Sequence, residues 1–158
     1  MKVMFKAAQL RELIIQPTLK DLVMYSPEAE ELLVFTCAVE SGGGTYLKQL
    51  NGPALGIYQM EPATYNDLWQ NFIAKKSGLL MMLLHNFDVR NMPPEDKLIY
   101  DLRYATALCR IFYARIQAPL PPANDPQAIW EYYKKYYNTY LGAANEPHCI
   151  YAYKNFIA

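Results

Sequence analysis

The sequence has no excess of charge of either sign. Lys and Arg together number 15, Asp and Glu number 15, and the formal net charge is zero. Without a basic excess there is little to neutralise phosphates, so nucleic acid is not an expected partner. Long apolar runs are also lacking. The longest unbroken one, Leu79 to Leu84, falls far short of the roughly 20 residues a membrane-spanning helix needs. No membrane insertion is expected. Residues 1–10, MKVMFKAAQL, hold no continuous apolar region followed by a small-residue cleavage site, and the expectation is a chain without an export signal.

Cysteine is scarce. Cys37, Cys109 and Cys149 are far apart and odd in number, and neither a C-x-x-C pair nor Cys/His spacing suggests zinc. Cys37 and Cys109 fall inside apolar helical patterns, where a small buried side chain is the usual use of the residue; a disulfide framework is the weaker alternative. His85 and His148 stand alone without ligand spacing and read as structural or solvated. No metal and no cofactor is expected. Internal repeats and low-complexity tracts are missing as well.

Apolar residues make up 53% of the 158-residue chain, enough for one domain with a real core. Lys6 to Ile15 reads as a short helix that Pro17 breaks, with a second short piece over Thr18 to Met24. Ser26-Pro27-Glu28 is a strong helix start, with a capping serine, proline at the first helical position and acids in the first turn. That helix is apolar almost all round through Val39, so it is expected to be the central buried one. The glycine run Gly42-Gly43-Gly44 ends it.

Glu40 then lies in the last turn of a buried helix. The negative helix end and an apolar wall both disfavour a carboxylate and raise its pKa, a property a general acid needs. The plainer reading is a solvated glutamate at a helix end. Gly52 to Tyr58 suits a short hairpin or extended loop, and glycines around the loop would let backbone approach a ligand. Pro62 and Thr64, with Asp67, mark the next helix start; Trp69, Phe72 and Ile73 give that helix a buried side, and Gly78 separates it from an apolar helix over Leu79 to Phe87. Pro93-Pro94 is expected to open the longest helix, running to Ile116 with a stripe of Leu98, Leu102, Ala105, Cys109, Phe112 and Ile116; Arg103, Arg110 and Arg115 lie off the stripe. Pro119, Pro121, Pro122 and Pro126 stop it. A last helix is expected from Pro126 to Leu141, carrying Trp130, Tyr132, Tyr133, Tyr136, Tyr137 and Tyr140, aromatics that suit core packing or a sugar cleft. Lys134-Lys135 reads as a solvated face. The tail from His148 to Ala158 gives no clear assignment. The sum is a mainly α single domain, residues 1–158, with a small irregular or hairpin excursion near residues 45–60.

Three motifs in order carry a resemblance: Glu40-Ser41 at a helix end, Gly56-Ile57-Tyr58-Gln59-Met60 in the loop, and Pro62-Ala63-Thr64 at the next helix start. Tyr137-Asn138-Thr139 is a looser fourth. Over residues 26–140 the chain resembles the lysozyme-like lytic transglycosylases, of the soluble lytic transglycosylase and goose-type lysozyme superfamily, which cleave peptidoglycan. The Gly-Pro-Ala before the loop is similar to phage-encoded members. The resemblance implies an α+β lysozyme-like fold, Glu40 as the single catalytic acid, and substrate binding by Ser41, Tyr58, Gln59, Met60, Tyr137 and Asn138. It implies peptidoglycan glycan strands as partner, with other virion proteins where the member is carried on a phage, and a virion-associated or phage-released enzyme acting in the bacterial cell wall. Glu61, where the family pattern has an apolar residue, is a candidate second carboxylate for a hydrolytic lysozyme; its plainer role is an acid at a helix start. A catalytically silent phage structural or binding protein of the same fold is the remaining alternative.

Overall fold

The computed structural model describes residues 4–138 and 142–158. Thr139, Tyr140 and Leu141, which belong to the expected last helix and to the loosest motif, lie outside the described residues. Among those described the chain is mostly helical and holds no strand.

The first helix, α1, runs through Ala7–Gln9, Leu10–Ile15 and Gln16–Asp21. Pro17 does not break it, contrary to expectation. Proline removes an N–H and crowds the carbonyl four residues back. The chain answers by widening over Leu10–Ile15 into π-helical turns, in which the Gln16 N–H reaches the Arg11 carbonyl five residues back.

Helix α2, Pro27–Ser41, is the central buried element that its composition implies. The Ser26 hydroxyl accepts from the Ala29 N–H at 3.0 Å. Leu32, Leu33, Val34, Phe35 and Cys37 have no exposed surface. At its start Glu30 and Glu31 are drawn in from solvent and matched by Arg11, which bonds Glu30 at 3.0 Å and Glu31 through two nitrogens at 2.7 and 2.8 Å. Gln16 and Tyr25 donate to Glu30, and Tyr153 donates to Glu31. Carboxylates out of water need such partners, and these tie α1 and the C-terminal helix to α2.

The glycines after α2 serve the chain itself rather than a ligand. Gly42 and Gly43 have φ of 60° and 68°, and the Gly43 N–H returns to the Cys37 carbonyl at 3.1 Å, a left-handed helix end. A Cβ on Gly43 would stand 2.6 Å from the Phe156 ring, and one on Gly44 2.8 Å from the Phe5 ring. Aromatic side chains from both ends of the chain thus close over the turn.

The excursion near residues 45–60 has hairpin character but forms only two isolated antiparallel bridges, Lys48 with Leu55 and Leu55 with Met60. The α+β part of the expectation is therefore not met among the described residues. Leu55, Ile57 and Tyr58 anchor the excursion in the core.

Helix α3 spans Pro62–Asn71, with Glu61, not Thr64, in the capping position and without a side-chain cap bond. Helix α4 spans Ser77–Asn86. The expected long helix from Pro93 to Ile116 is instead two: α5, Lys97–Tyr100, and α6, Leu102–Ala114. Asp101 parts them. Its backbone is extended, and its carboxylate accepts from the Tyr104 N–H at 2.9 Å as the cap of α6. The arginines off the stripe hold α6 to its neighbours: Arg103 pairs with Asp21, Arg110 donates to the Met24 carbonyl at 3.0 Å, and Arg115 pairs with Asp67 at 2.6 Å.

Helix α7, Pro126–Tyr133, widens into π-helical turns over Lys134–Asn138. The tail that the sequence left unassigned is helix α8, Glu146–Ile157, capped by Asn145. It packs on α2 through Phe35–Tyr153 ring contact at 5.2 Å and through Phe156 on Gly43.

Gly43→Ala is expected to lower stability by about 1–3 kcal/mol, from the left-handed backbone and the forced displacement of Phe156 together. Urea unfolding measures it, and Phe156→Ala should remove the steric part of the loss in a double-mutant cycle.

Candidate active site

Helix α2 is buried until its last turn, where Glu40 emerges into a cleft of about 850 Å³. The cleft has three walls. One is the end of α2, with Val39 and Glu40. The second is the excursion and the start of α3: Gln59, Met60, Glu61, Thr64 and Asp67. The third is the aromatic side of α7 with the start of α8: Tyr133, Tyr136, Tyr137, Asn138 and His148.

Glu40 is the most perturbed carboxyl lining the cleft. Burial pushes its pKa up to about 7, the nearby Tyr133 hydroxyl pulls it back, and the charge of Glu61 adds to the rise. Loss of water, one of the two causes expected from the sequence, is the largest of these. Near neutral pH both forms of Glu40 are populated, as a group that gives and then takes a proton requires.

The aromatic wall is a stack. Tyr137 lies between Tyr113 and Tyr133, with ring centroids 5.4 and 5.9 Å away, and meets Phe112 edge-on at 5.0 Å. Its hydroxyl donates to the Tyr58 carbonyl, which fixes α7 against the excursion. Gln59 has φ of 49° and its side chain donates to the Gly56 carbonyl at 2.8 Å. That bond holds a strained residue at the cleft wall. Met60 is buried beside it, its backbone engaged with Leu55 in both directions.

Six of the eight residues expected from the sequence line the cleft: Glu40, Gln59, Met60, Glu61, Tyr137 and Asn138. Ser41 and Tyr58 do not. Ser41 is fully buried, donating to the Cys37 carbonyl at 3.1 Å and accepting from the Gly44 N–H at 2.9 Å; it closes the end of α2. Tyr58 is also in the core, its hydroxyl on Thr106 at 2.9 Å, and its carbonyl is taken by Tyr137. A side chain after the last helical carboxylate points inward because α2 is buried on nearly every side.

Glu61 is exposed at the cleft rim. Asp67 is held by the Asn71 amide and by Arg115, which keep its carboxyl below the usual range. Tyr133 was not singled out from the sequence as a site residue. Its spacing of four from Tyr137 places both on one helix face, which is the signal that points to it. Among the described residues no cluster of His, Cys, Asp and Glu could hold a metal ion, and no helix is long and apolar enough to cross a membrane. No protein-family model, curated protein or solved structure matches the chain.

An unfolded glutamate ionises near 4.5, and Glu40 in the fold near 7. Between those values the folded state keeps a proton that the unfolded state has lost, so this contribution to stability is present below 4.5 and fades as pH rises through 7. Glu40→Gln is therefore expected to gain on the wild type by on the order of 3 kcal/mol between pH 4 and pH 8. Urea unfolding at the two pH values measures the gain; a constant difference would contradict a buried, proton-holding Glu40.

Proposed function

We propose that this chain cleaves the glycan strand of peptidoglycan between N-acetylmuramic acid and N-acetylglucosamine, as a lytic transglycosylase with Glu40 as its single acid. The observation that carries the reading is a carboxyl with a pKa near 7 at the end of a buried helix, facing an open cleft walled with tyrosines. Tyrosine rings present flat apolar faces of the kind sugar rings pack on. The motif order Glu40, Gln59, Thr64 and Asn138 supports the same reading, since these residues line one cleft from the end of α2, the excursion, α3 and the turns after α7.

In this reaction protonated Glu40 gives its proton to the glycosidic oxygen as the bond from C1 of the muramic residue breaks. The leaving sugar departs as an alcohol. The N-acetyl group of the substrate supports the electron-poor C1. Glu40, now a carboxylate, takes the proton from the muramic C6 hydroxyl while that oxygen bonds to C1. The product is a 1,6-anhydro sugar, Glu40 is protonated again, and no water is consumed. A second reading, hydrolysis, is favoured by one observation: Glu61 lines the cleft and its charge reaches Glu40, so it could direct a water. The similarity of the loop to phage-encoded members extends the proposal to an enzyme carried or released by a phage.

Digestion of purified peptidoglycan by the wild type, with products weighed by mass spectrometry, is the test. Anhydro products, lighter by one water than hydrolysis products and lost in Glu40→Gln, are expected. Reducing-end products, lost in Glu40→Gln and in Glu61→Gln, would assign a lysozyme instead. No release by folded wild type would overturn both and leave a glycan-binding or structural role.

A further inference from the structure

Arg115 ends α6, where the helix dipole favours a cation. Among the described residues it is the one lysine or arginine that lines the cleft. Arg103 and Arg110 are taken by Asp21 and the Met24 carbonyl. Lys134 does not line the cleft either. It donates to the Asn138 side-chain oxygen at 2.8 Å and to the Gly142 carbonyl at 2.9 Å, and so is engaged within the chain rather than standing on the solvated face that the sequence suggests.

A guanidinium has five N–H donors in one plane and can give a carboxylate two parallel bonds. In Arg115, Nη1 donates to Asp67 Oδ2 at 2.6 Å. The other oxygen of Asp67 accepts from the Asn71 amide at 2.6 Å, which pins the carboxylate. The guanidinium carbon lies 5.4 Å from the centre of the Phe112 ring, a contact that steadies the plane. Phe112 in turn meets Tyr137 edge-on, so Arg115 continues the aromatic wall. The edge formed by Nε and Nη2 remains. Among the described residues nothing accepts from it, and the side chain keeps 32% of its surface exposed. An arginine that served only to tie α6 to α3 would need Nη1 alone. Here the group is held on one edge and one face, with a complete second edge left over.

We propose that this edge of Arg115 is a carboxylate subsite for an acid carried on O3 of the muramic residue. The identity of the ligand rests on the glycan-cleavage reading. In that reaction the muramic ring supplies the reacting C1, so its O3 substituent enters the same cleft. That substituent is a lactyl group. It ends in a carboxylate when bare, and in a peptide bearing carboxylates when a stem is attached; both present the same chemistry to a guanidinium. N-acetylglucosamine carries no such acid, so the subsite favours a muramic ring at this place and helps to set which of the two alternating bonds is cut. Glu40, Glu61 and Asp67, the carboxyls of the lining, repel an anion when ionised, which leaves Arg115 as the place that accepts one. Asp67 shares the guanidinium and the site is partly wet, so the expected preference is modest.

The test is the affinity of the full chain for four soluble disaccharides, each N-acetylglucosamine joined to O4 of N-acetylmuramic acid, measured by NMR titration. They lack the bond that is cut, so the wild type leaves them intact. Two carry the free lactyl carboxylate or its carboxamide. Two carry an L-alanyl-D-glutamine stem ending in its α-carboxylate or in the carboxamide. In at least one pair the acid is expected to bind about fivefold tighter than the amide, and that pair names the source of the carboxylate. The Arg115 Nε–H signal should move with the acid and not with its amide. Arg115→Met is expected to bring the ratio to about one. Asp67→Asn gives up the ion pair but keeps the guanidinium, and is expected to keep the preference. Thermal unfolding shows which variants are folded. Arg115→Lys, a point charge without the fork, serves if Arg115→Met does not fold, with the ratio about halved. Equal binding of acid and amide in both pairs, or no binding of any of the four, overturns the proposal. So does a preference that survives in Arg115→Met or is unchanged in Arg115→Lys. A preference lost alike in Asp67→Asn and Arg115→Met would make the pair a structural tie and overturns it as well. A preference for the acid in a wild type that releases nothing from peptidoglycan would uphold the subsite and sink the cleavage reading. A cleaving wild type that binds acid and amide equally would do the reverse.

Discussion

A carboxyl held out of water at the end of a buried helix is the constraint from which the rest of this molecule follows. Burial drives the Glu40 pKa upward; a solvated glutamate would be ionised near neutrality. The value near 7 is a balance of lost hydration and Glu61 on one side and the Tyr133 hydroxyl on the other. Each part of that balance needs a piece of scaffold. Lost hydration needs α2 to be buried to its last turn. The hydroxyl needs α7 to run across the end of α2 at a fixed height. The cleft needs the excursion and α3 to stand away from both.

The scaffold meets these needs with few polar bonds in well-chosen places. Arg11 holds Glu30 and Glu31 at the start of α2, and Tyr153 joins them from α8. At the other end of α2, Phe5 and Phe156 cover the glycine turn. Both ends of the central helix are thus fastened by residues near the two ends of the chain. The Tyr137 hydroxyl on the Tyr58 carbonyl joins the aromatic wall to the excursion. Tyr65, Trp69 and Tyr104 do the same for α3 and α6, with hydroxyl and indole contacts of 2.7 and 2.9 Å.

Where the sequence was read well, the deciding physics is local. Ser26 and Pro27 start α2, and Gly42 ends it, because capping and left-handed backbone are properties of single residues. The buried character of α2 is legible in its composition. What was missed depends on partners distant in the chain. Pro17 looks like a stop until the π-helical turns absorb it. Asp101 looks like a surface acid inside a long helix until its carboxylate caps α6. Ser41 and Tyr58 belong to plausible motifs, but the near-complete burial of α2 and the core anchoring of the excursion turn both inward. Tyr133 carries no motif at all; its place on the cleft wall appears only when α7 is laid beside Glu40. The tail became a helix because Phe156 and Tyr153 have places to pack, which no local pattern around His148 conveys.

The central claim is that a glycan strand lies in this cleft with its scissile oxygen against residue 40. A crystal structure of the Glu40→Gln variant with a bound oligosaccharide of alternating N-acetylglucosamine and N-acetylmuramic acid tests it most directly. The account predicts sugar rings along the tyrosine wall between α3 and α7, with one glycosidic oxygen within hydrogen-bond reach of the side chain at position 40. Saccharide bound elsewhere with the cleft empty, or lying in the cleft with no glycosidic oxygen near that side chain, would contradict it.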